Sequence, residues 1–445
     1  MSAPQGFRDF LKYPLVDAIF DRRTRRVSRG VKRVPAGSLS FESPEAEPRP
    51  LTGLEEAILI AMTGVTGITA PDRPFESDDG NDEIMGAPNL TMVGRSAGSP
   101  DNAQATHFFM INDSGTYFLR RLNEPAPFTP ENLLERADIV KQKVLERRLD
   151  FETRDFPVYL DSNRFLSNLP GTTILMPVVD LTRQYINAIM YLLTQPDGHR
   201  PTLVDDRNFF LPAGVRKWVK SGFLNKDIKV PLGVLGTMRT DYEATLLLQT
   251  LMLAAQSMGL GAWIHATISP PVMLGHPMFA SRFGRGLGFE YHTPKMSLFD
   301  QVRWGSFLPK TRTHPVGLPG SFTGLCPPYV TDMGEAVDQI ISHKFGPDGI
   351  YRSPENFEQV FKEGLTERYI DEVPVYEEEV VACAKAVCQY IVDTHRRFPA
   401  HCDAVHVPGV WLQVHSLNID YYDHLFDDVV TDAQRTHDQR WPAGL

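Results

Sequence analysis

The 445-residue sequence predicts an α+β fold, a central and mainly antiparallel sheet flanked by helices, with one buried helix at its heart. Two patterns carry that reading. Residues 107–111 are an apolar run, Asp113-Ser114-Gly115 supplies turn chemistry, and 116–119 resume the strand pattern, so this segment reads as a hairpin. From Thr240 to Gly259 runs a helical pattern, Thr240 placed to cap and Glu243 to reach back, through Leu246, Leu247, Leu248, Leu251, Met252, Leu253, Ala254 and Ala255. Being apolar nearly all round, its span 241–258 is expected in the centre of the core.

The other elements follow in chain order. Leu15, Ile19 and Phe20 recur at helical spacing and lead into 22–33, where seven of twelve residues are Arg or Lys. An acidic, proline-rich stretch at 43–50 precedes Thr52 and Glu55, a capping-box pair ahead of Leu54, Ile58, Leu59 and Met62, and that helix should end near Gly64. Residues 68–95 read as a long loop rich in Pro, Asp, Gly and Asn. Thr129 and Pro130 open a helix with Leu133, Ala137, Val140 and Val144 on one face. An irregular Pro/Gly-rich segment runs from 290 to 328, followed by helical patterns at 333–345, 354–364 and 375–396 and an aromatic, histidine-rich end.

Composition narrows the function classes. Apolar residues make up 42% and charged residues 22%, a globular balance. A net charge of −10 repels a phosphate backbone, so nucleic acid is not an expected partner. Cys326, Cys383, Cys388 and Cys402 are too few and too irregular for a disulfide framework, and no CxxC pair suggests zinc. The N-terminal ten residues lack the apolar core of a signal peptide, and the longest apolar segment, 246–255, is too short to span a bilayer. A soluble cytoplasmic protein in a reducing compartment, without membrane contact, is expected.

Three constellations could carry chemistry. Arg22, Arg23, Thr24, Arg25 and Arg26 combine fixed cations with a hydroxyl at the end of a short helix, suited to gripping a phosphate monoester, or else form a solvated charge run. Ser99-Pro100-Asp101-Asn102-Ala103-Gln104 places small polar side chains ahead of a buried strand, where Asn and Gln can meet the edge of a flat heterocycle or simply satisfy a loop. Gly259-Leu260-Gly261-Ala262-Trp263-Ile264-His265-Ala266 lets the backbone turn sharply and approach a ligand, or else is a helix C-cap followed by a core strand.

Together and in this order these segments resemble the FMN-dependent nitroreductase superfamily. The family's basic-basic-Ser-x-basic pattern is similar to Arg22-Arg23-Thr24-Arg25-Arg26, with Thr24 in the serine place, and its Pro-Ser-Ser-x-Asn-x-Gln-Pro-Trp-x-Phe pattern is similar to 98–108, with Ala105-Thr106 in place of Pro-Trp. The helix ending Leu-Ala-Ala-x-x-x-Gly-Leu-Gly resembles 253–261. The resemblance implies FMN as cofactor, its phosphate and ribityl chain on Arg22, Arg23, Thr24 and Arg26, and Ser99, Asn102 and Gln104 as flavin contacts or their supports. It further implies that the strand carrying Ile264, His265 and Ala266 brings the backbone N–H groups of His265 and Ala266 to flavin N5, with no side chain certain to be catalytic. Arg282, Arg285, Arg303 and Arg312 are candidates to complete the phosphate site.

The activity so implied is a ping-pong oxidoreductase in which NAD(P)H or another electron donor passes hydride to flavin N5 and a small-molecule substrate then takes it. The alternatives are an oxidase or dehydrogenase of a modified peptide or small metabolite, as in the azoline-oxidising branch, and a non-catalytic flavin- or metal-binding descendant. A homodimer is implied as well. In this reading 1–330 form the FMN-binding core, with insertions at 68–95 and 121–230, and 331–445 form a helical, His/aromatic-rich extension packed on it. That end carries His395, His401, His406, His415, His424 and His437, none at the helical spacing of a familiar metal motif, so no metal is assigned.

Overall fold

A seven-stranded sheet organises the protein, described here by a computed structural model covering residues 4–44, 46–69, 89–121, 128–160, 162–236, 238–294 and 313–442. Its strands are β1 (Thr106–Asn112), β2 (Gly115–Leu119), β3 (Lys141–Leu145), β4 (Thr172–Asp180), β5 (Gly261–His265), β6 (Val405–His406) and β7 (Trp411–His415). Their order is β5-β7-β4-β1-β2-β3, with β6 also on β4, and every pairing is antiparallel. The chain is thus α+β, as the sequence predicts.

The hairpin forms where expected. Asn112 pairs with Gly115 across the turn, and the Asn112 Oδ1 accepts the N–H groups of Ser114 and Gly115 at 3.0 and 3.1 Å. β4 is buried at all nine positions because both faces of the sheet are covered, which is why its sequence is a near-continuous apolar run. It comes from within 121–230 and β7 from within 331–445, so the sheet draws on both sides of the division made at 330.

The helices around the sheet and its neighbouring core include α1 (Leu15–Asp21), α2 (Gly53–Met62), α3 (Leu181–Leu193), α4 (Met238–Met258), α5 (Met333–Phe345) and α6 (Glu378–His395). The capping box of α2 is formed, with Glu55 Oε2 accepting the Thr52 N–H at 2.7 Å. Leu59 of α2 and Leu247 and Leu251 of α4 pack on the face presented by Phe108, Met110, Leu175 and Val414. The opposite face, with Phe109, Ile111, Ile174 and Met176, is covered by Tyr159, Ile268 and Val272. A separate apolar core joins α3, α5 and α6.

Four expectations are corrected. α4 begins two residues before Thr240, which therefore does not cap it, and Glu243 turns to other partners. The helix is not buried all round, since Tyr242 is 56% and Leu246 45% exposed. The helix expected from 129 covers only Leu133–Val140, because 141–145 pair with the free edge of β2 and tertiary pairing overrides helical spacing. Within 354–364 only Pro354–Asn356 form a 3₁₀ turn, and the next helix is Thr366–Glu372, after Gly364 at φ +78° breaks the chain direction.

The C-terminal end is tied down by histidine–carboxylate pairs to separate elements: His395 to Asp205 at 2.8 Å, His406 to Asp241 at 2.7 Å and His437 to Glu55 at 2.6 Å. These histidines staple different places. Among the described residues no group of three His, Cys, Asp or Glu is placed to hold a metal, and no helix is long and apolar enough to cross a membrane.

Candidate functional site

The loop before β1 is held by one carboxylate. Glu243 accepts the Thr106 N–H at 2.7 Å and the Ser99 hydroxyl, and lies 3.9 Å from Arg95. Burial opposes ionisation of Glu243, but the Arg95 charge and the hydrogen bonds from Ser99 and Thr106 outweigh it and hold the carboxyl below its ordinary range. Arg95 itself is buried and donates to the Thr63 carbonyl at 2.6 and 2.9 Å and to that of Thr106. Ser99 Oγ accepts the Gln104 N–H at 2.9 Å.

Within this anchored loop Asn102 and Gln104 adopt left-handed backbone conformations, φ 50° and 47°. Gln104 Nε2 donates to Asn102 Oδ1 at 3.0 Å, leaving Asn102 Nδ2 and Gln104 Oε1 buried without a partner. One amide donor and one amide acceptor therefore remain unused side by side. Exchanging O and N in both amides preserves that count.

The arginine segment runs beside the edge strand β5. The Arg25 N–H donates to the Ala262 carbonyl at 3.3 Å, and its guanidinium binds the Val429 carbonyl and lies 5.5 Å from the Tyr422 ring centroid. Arg25 is thus structural. Arg22 is half-buried, and Arg23, Thr24 and Arg26 are exposed. Arg23 donates to the Phe20 carbonyl at 2.6 Å, and Arg26 to Asn163 Oδ1 at 2.5 Å.

Gly259 makes the turn from α4 into β5 at φ +82°, where a Cβ would strike the Ala433 carbonyl. On β5, Ile264 is half-buried and packs toward α2 and α4, whereas Trp263 and His265 face the other side of the sheet and stack at 4.1 Å. His265 Nδ1 accepts the Thr267 N–H at 3.3 Å, which places the ring proton on Nε2, a buried atom with no partner. Burial lowers its pKa to about 3, so the ring is neutral. Ala266 is exposed.

The structure brings Ser99, Asn102 and Gln104 together, and separately places the arginine segment by β5. The carboxyl end of β5 and the amino end of β1 lie at the same end of the sheet, but β7 and β4 stand between them, about 14 Å at the usual strand spacing. Among the candidates to complete a phosphate site, Arg282 stacks 5.0 Å over Phe283, and Arg303 and Arg312 lie outside the described residues.

A solved structure of a provisionally assigned nitroreductase from Ralstonia eutropha JMP134 is similar to this chain at 11% identity, covering 60% of this chain and 73% of that one, with a TM-score of 0.25. No protein family and no curated protein matches.

Sequence reasoning missed Glu243 as the organiser of the 99–106 loop, having given its carboxylate to a cap. It also took His415 only as part of a histidine-rich end and missed the strand 411–415, where Trp411, Gln413 and His415 alternate with Leu412 and Val414 in the period-2 signal and stand opposite His265, Trp263 and Gly261. His415 is fully buried, and neither ring nitrogen has a partner.

Proposed function

We propose that this chain is an FMN-dependent oxidoreductase of the nitroreductase type. The observation that carries the reading is the pair of unused, buried amide atoms, Asn102 Nδ2 and Gln104 Oε1, held in place by strained backbone. A flat heterocycle with adjacent acceptor and donor satisfies both, and burying them unpaired costs about 1–3 kcal/mol each. FMN, when bound, supplies hydride chemistry at N5, so that NAD(P)H or another donor and a small-molecule acceptor react in turn.

Arg22, Arg23, Thr24 and Arg26 would hold the phosphate through charge-assisted hydrogen bonds, and three of these four side chains are exposed enough to receive it. Arg25 would hold this segment against β5 and the C-terminal end. Ser99 would support the amide pair, and the backbone of Ile264, His265 and Ala266 would line the reactive edge, with the N–H groups of the last two as fixed donors.

A second copy completes the arrangement. Leu15 and Phe20 of α1 are 65% and 71% exposed, and α1 packs beside α4, which exposes Tyr242 and Leu246. α1 ends directly before Arg22, and Glu243 of α4 anchors the 99–106 loop, so pairing through these helices would set the arginine segment of one subunit toward the loop of the other. The purified protein is expected to carry the visible absorbance of oxidised flavin, and replacing Arg22 and Arg26 together by Ala should remove it. Full flavin occupancy in that double variant would sink the assignment.

A further inference from the structure

The arginine segment is tied down through every second backbone N–H. That of Arg25 donates to the Ala262 carbonyl of β5 at 3.3 Å, and that of Arg29 to the Ser416 carbonyl, one residue past β7, at 2.9 Å. Between them the Val27 N–H donates to a side chain, the Tyr422 hydroxyl, at 3.2 Å. Donation from alternate residues is the pattern of an extended chain along a sheet edge, in which the side chains alternate too. Tyr422 thus takes the place of a strand carbonyl where the segment crosses from β5 to the residues beyond β7.

The same tyrosine decides which side chains of the segment turn inward. Its ring lies 5.5 Å from the Arg25 guanidinium and shares an apolar cluster with Val27, Val31, Leu417 and Val430. Alternation then turns Thr24 and Arg26 the other way, and both are exposed. Tyr422 is itself firmly placed, 7% exposed on the helix Ile419–Leu425. Asn418 caps that helix by accepting the Tyr421 N–H at 3.1 Å, and it donates to the carbonyls of Val27 at 3.2 Å and Val31 at 3.0 Å. Burial pushes the Tyr422 pKa up, so the phenol stays a neutral hydroxyl beside the arginines.

We propose that Tyr422 is a positioning residue for the flavin phosphate: by holding Arg25 and Val27 inward it presents Thr24 and Arg26 to the phosphate and makes the chain select FMN over riboflavin. This inference rests on the FMN reading above. It adds that selectivity for the phosphorylated flavin depends on the C-terminal end of the chain, through a residue that touches the arginine segment and not the ligand.

The test is titration of the full flavin-free chain with FMN and with riboflavin, which has the same ring system without the phosphate. Wild type should prefer FMN. Tyr422→Phe keeps the ring and its packing but leaves the Val27 N–H without its acceptor, so FMN affinity should fall about tenfold while riboflavin affinity stays at the wild-type value. Retained riboflavin binding also shows that the variant is folded. Tyr422→Leu removes the ring beside Arg25 as well and should lose more of the FMN preference. An equal loss for both flavins in Tyr422→Phe, or no loss for either, would overturn the positioning role and leave the FMN reading standing. A wild type that binds neither flavin overturns the FMN reading, one that binds both alike overturns the phosphate site, and the positioning role falls with either.

Discussion

The Glu243 carboxylate accepts the Thr106 N–H at 2.7 Å, joining the longest helix of the described residues to the first strand of the sheet. The same carboxylate faces buried Arg95, so its loss strands a charge as well as a backbone donor. Glu243→Ala should destabilise the protein by about 3–5 kcal/mol, and Glu243→Gln, which keeps an acceptor, by less. Because the folded carboxyl titrates below its ordinary range, its contribution is present above the unfolded pKa and is lost as pH falls through the folded value. Urea melts should therefore show the gap between wild type and Glu243→Ala narrowing in acid, and a gap independent of pH would contradict the ion-pair account.

Asn102 and Gln104 offer a sharper check of the heterocycle contact. If their unused atoms meet the flavin, Asn102→Ala should weaken FMN binding by about 1–3 kcal/mol or shift its reduction potential. Ser99→Ala acts differently, because Ser99 Oγ supports the Gln104 backbone and not a ligand, so it should loosen the loop and cost stability in the flavin-free protein too. Flavin titration that finds Asn102→Ala unchanged in both respects places this loop elsewhere.

The legible parts of the fold are those whose signal is local. The Asn112–Gly115 turn and the Thr52–Glu55 box need only neighbouring residues, and both form as the sequence indicates. β7 needs partners from the middle of the chain, β5 and β4, and its inward face of Trp411, Gln413 and His415 disguises a buried strand as a histidine-rich tail. The candidate site divides in the same way. The motif letters locate Arg22–Arg26 and Asn102–Gln104, but only the three-dimensional contacts give Arg25 to Val429 and Glu243 to Ser99 and Thr106.

The exposed face of α1 and α4 makes oligomeric state a direct test. Wild-type protein should sediment as a dimer, and combining Phe20→Glu with Leu246→Glu should shift it toward monomer while lowering flavin occupancy, since each site then lacks its second subunit. A wild-type monomer that still holds flavin at full occupancy would rule out the shared site.

His265 and His415 make opposite demands on stability and on chemistry. Burial lowers both pKa values to about 3, so the folded protein keeps both rings neutral while the unfolded chain takes up protons near 6.5. Stability is therefore greatest above the unfolded value and falls as pH drops from 6.5 toward 3, by about 2 kcal/mol for each ring between roughly pH 7 and pH 5. His415→Gln should remove one ring's share of that slope in thermal melts across this range, His107 and His265 keeping theirs, and an unchanged slope would mean that water reaches the ring. His265 has the same titration but stands in the segment proposed to line the flavin, where a protonatable ring would suggest an acid or base. A neutral ring fixed by Thr267 is a hydrogen-bond donor and not a proton source, so His265→Gln should leave the rate of flavin reduction nearly unchanged and its pH profile flat through the histidine range. A loss of more than ~100-fold in that rate, measured by stopped flow, would instead make His265 a proton-transfer group.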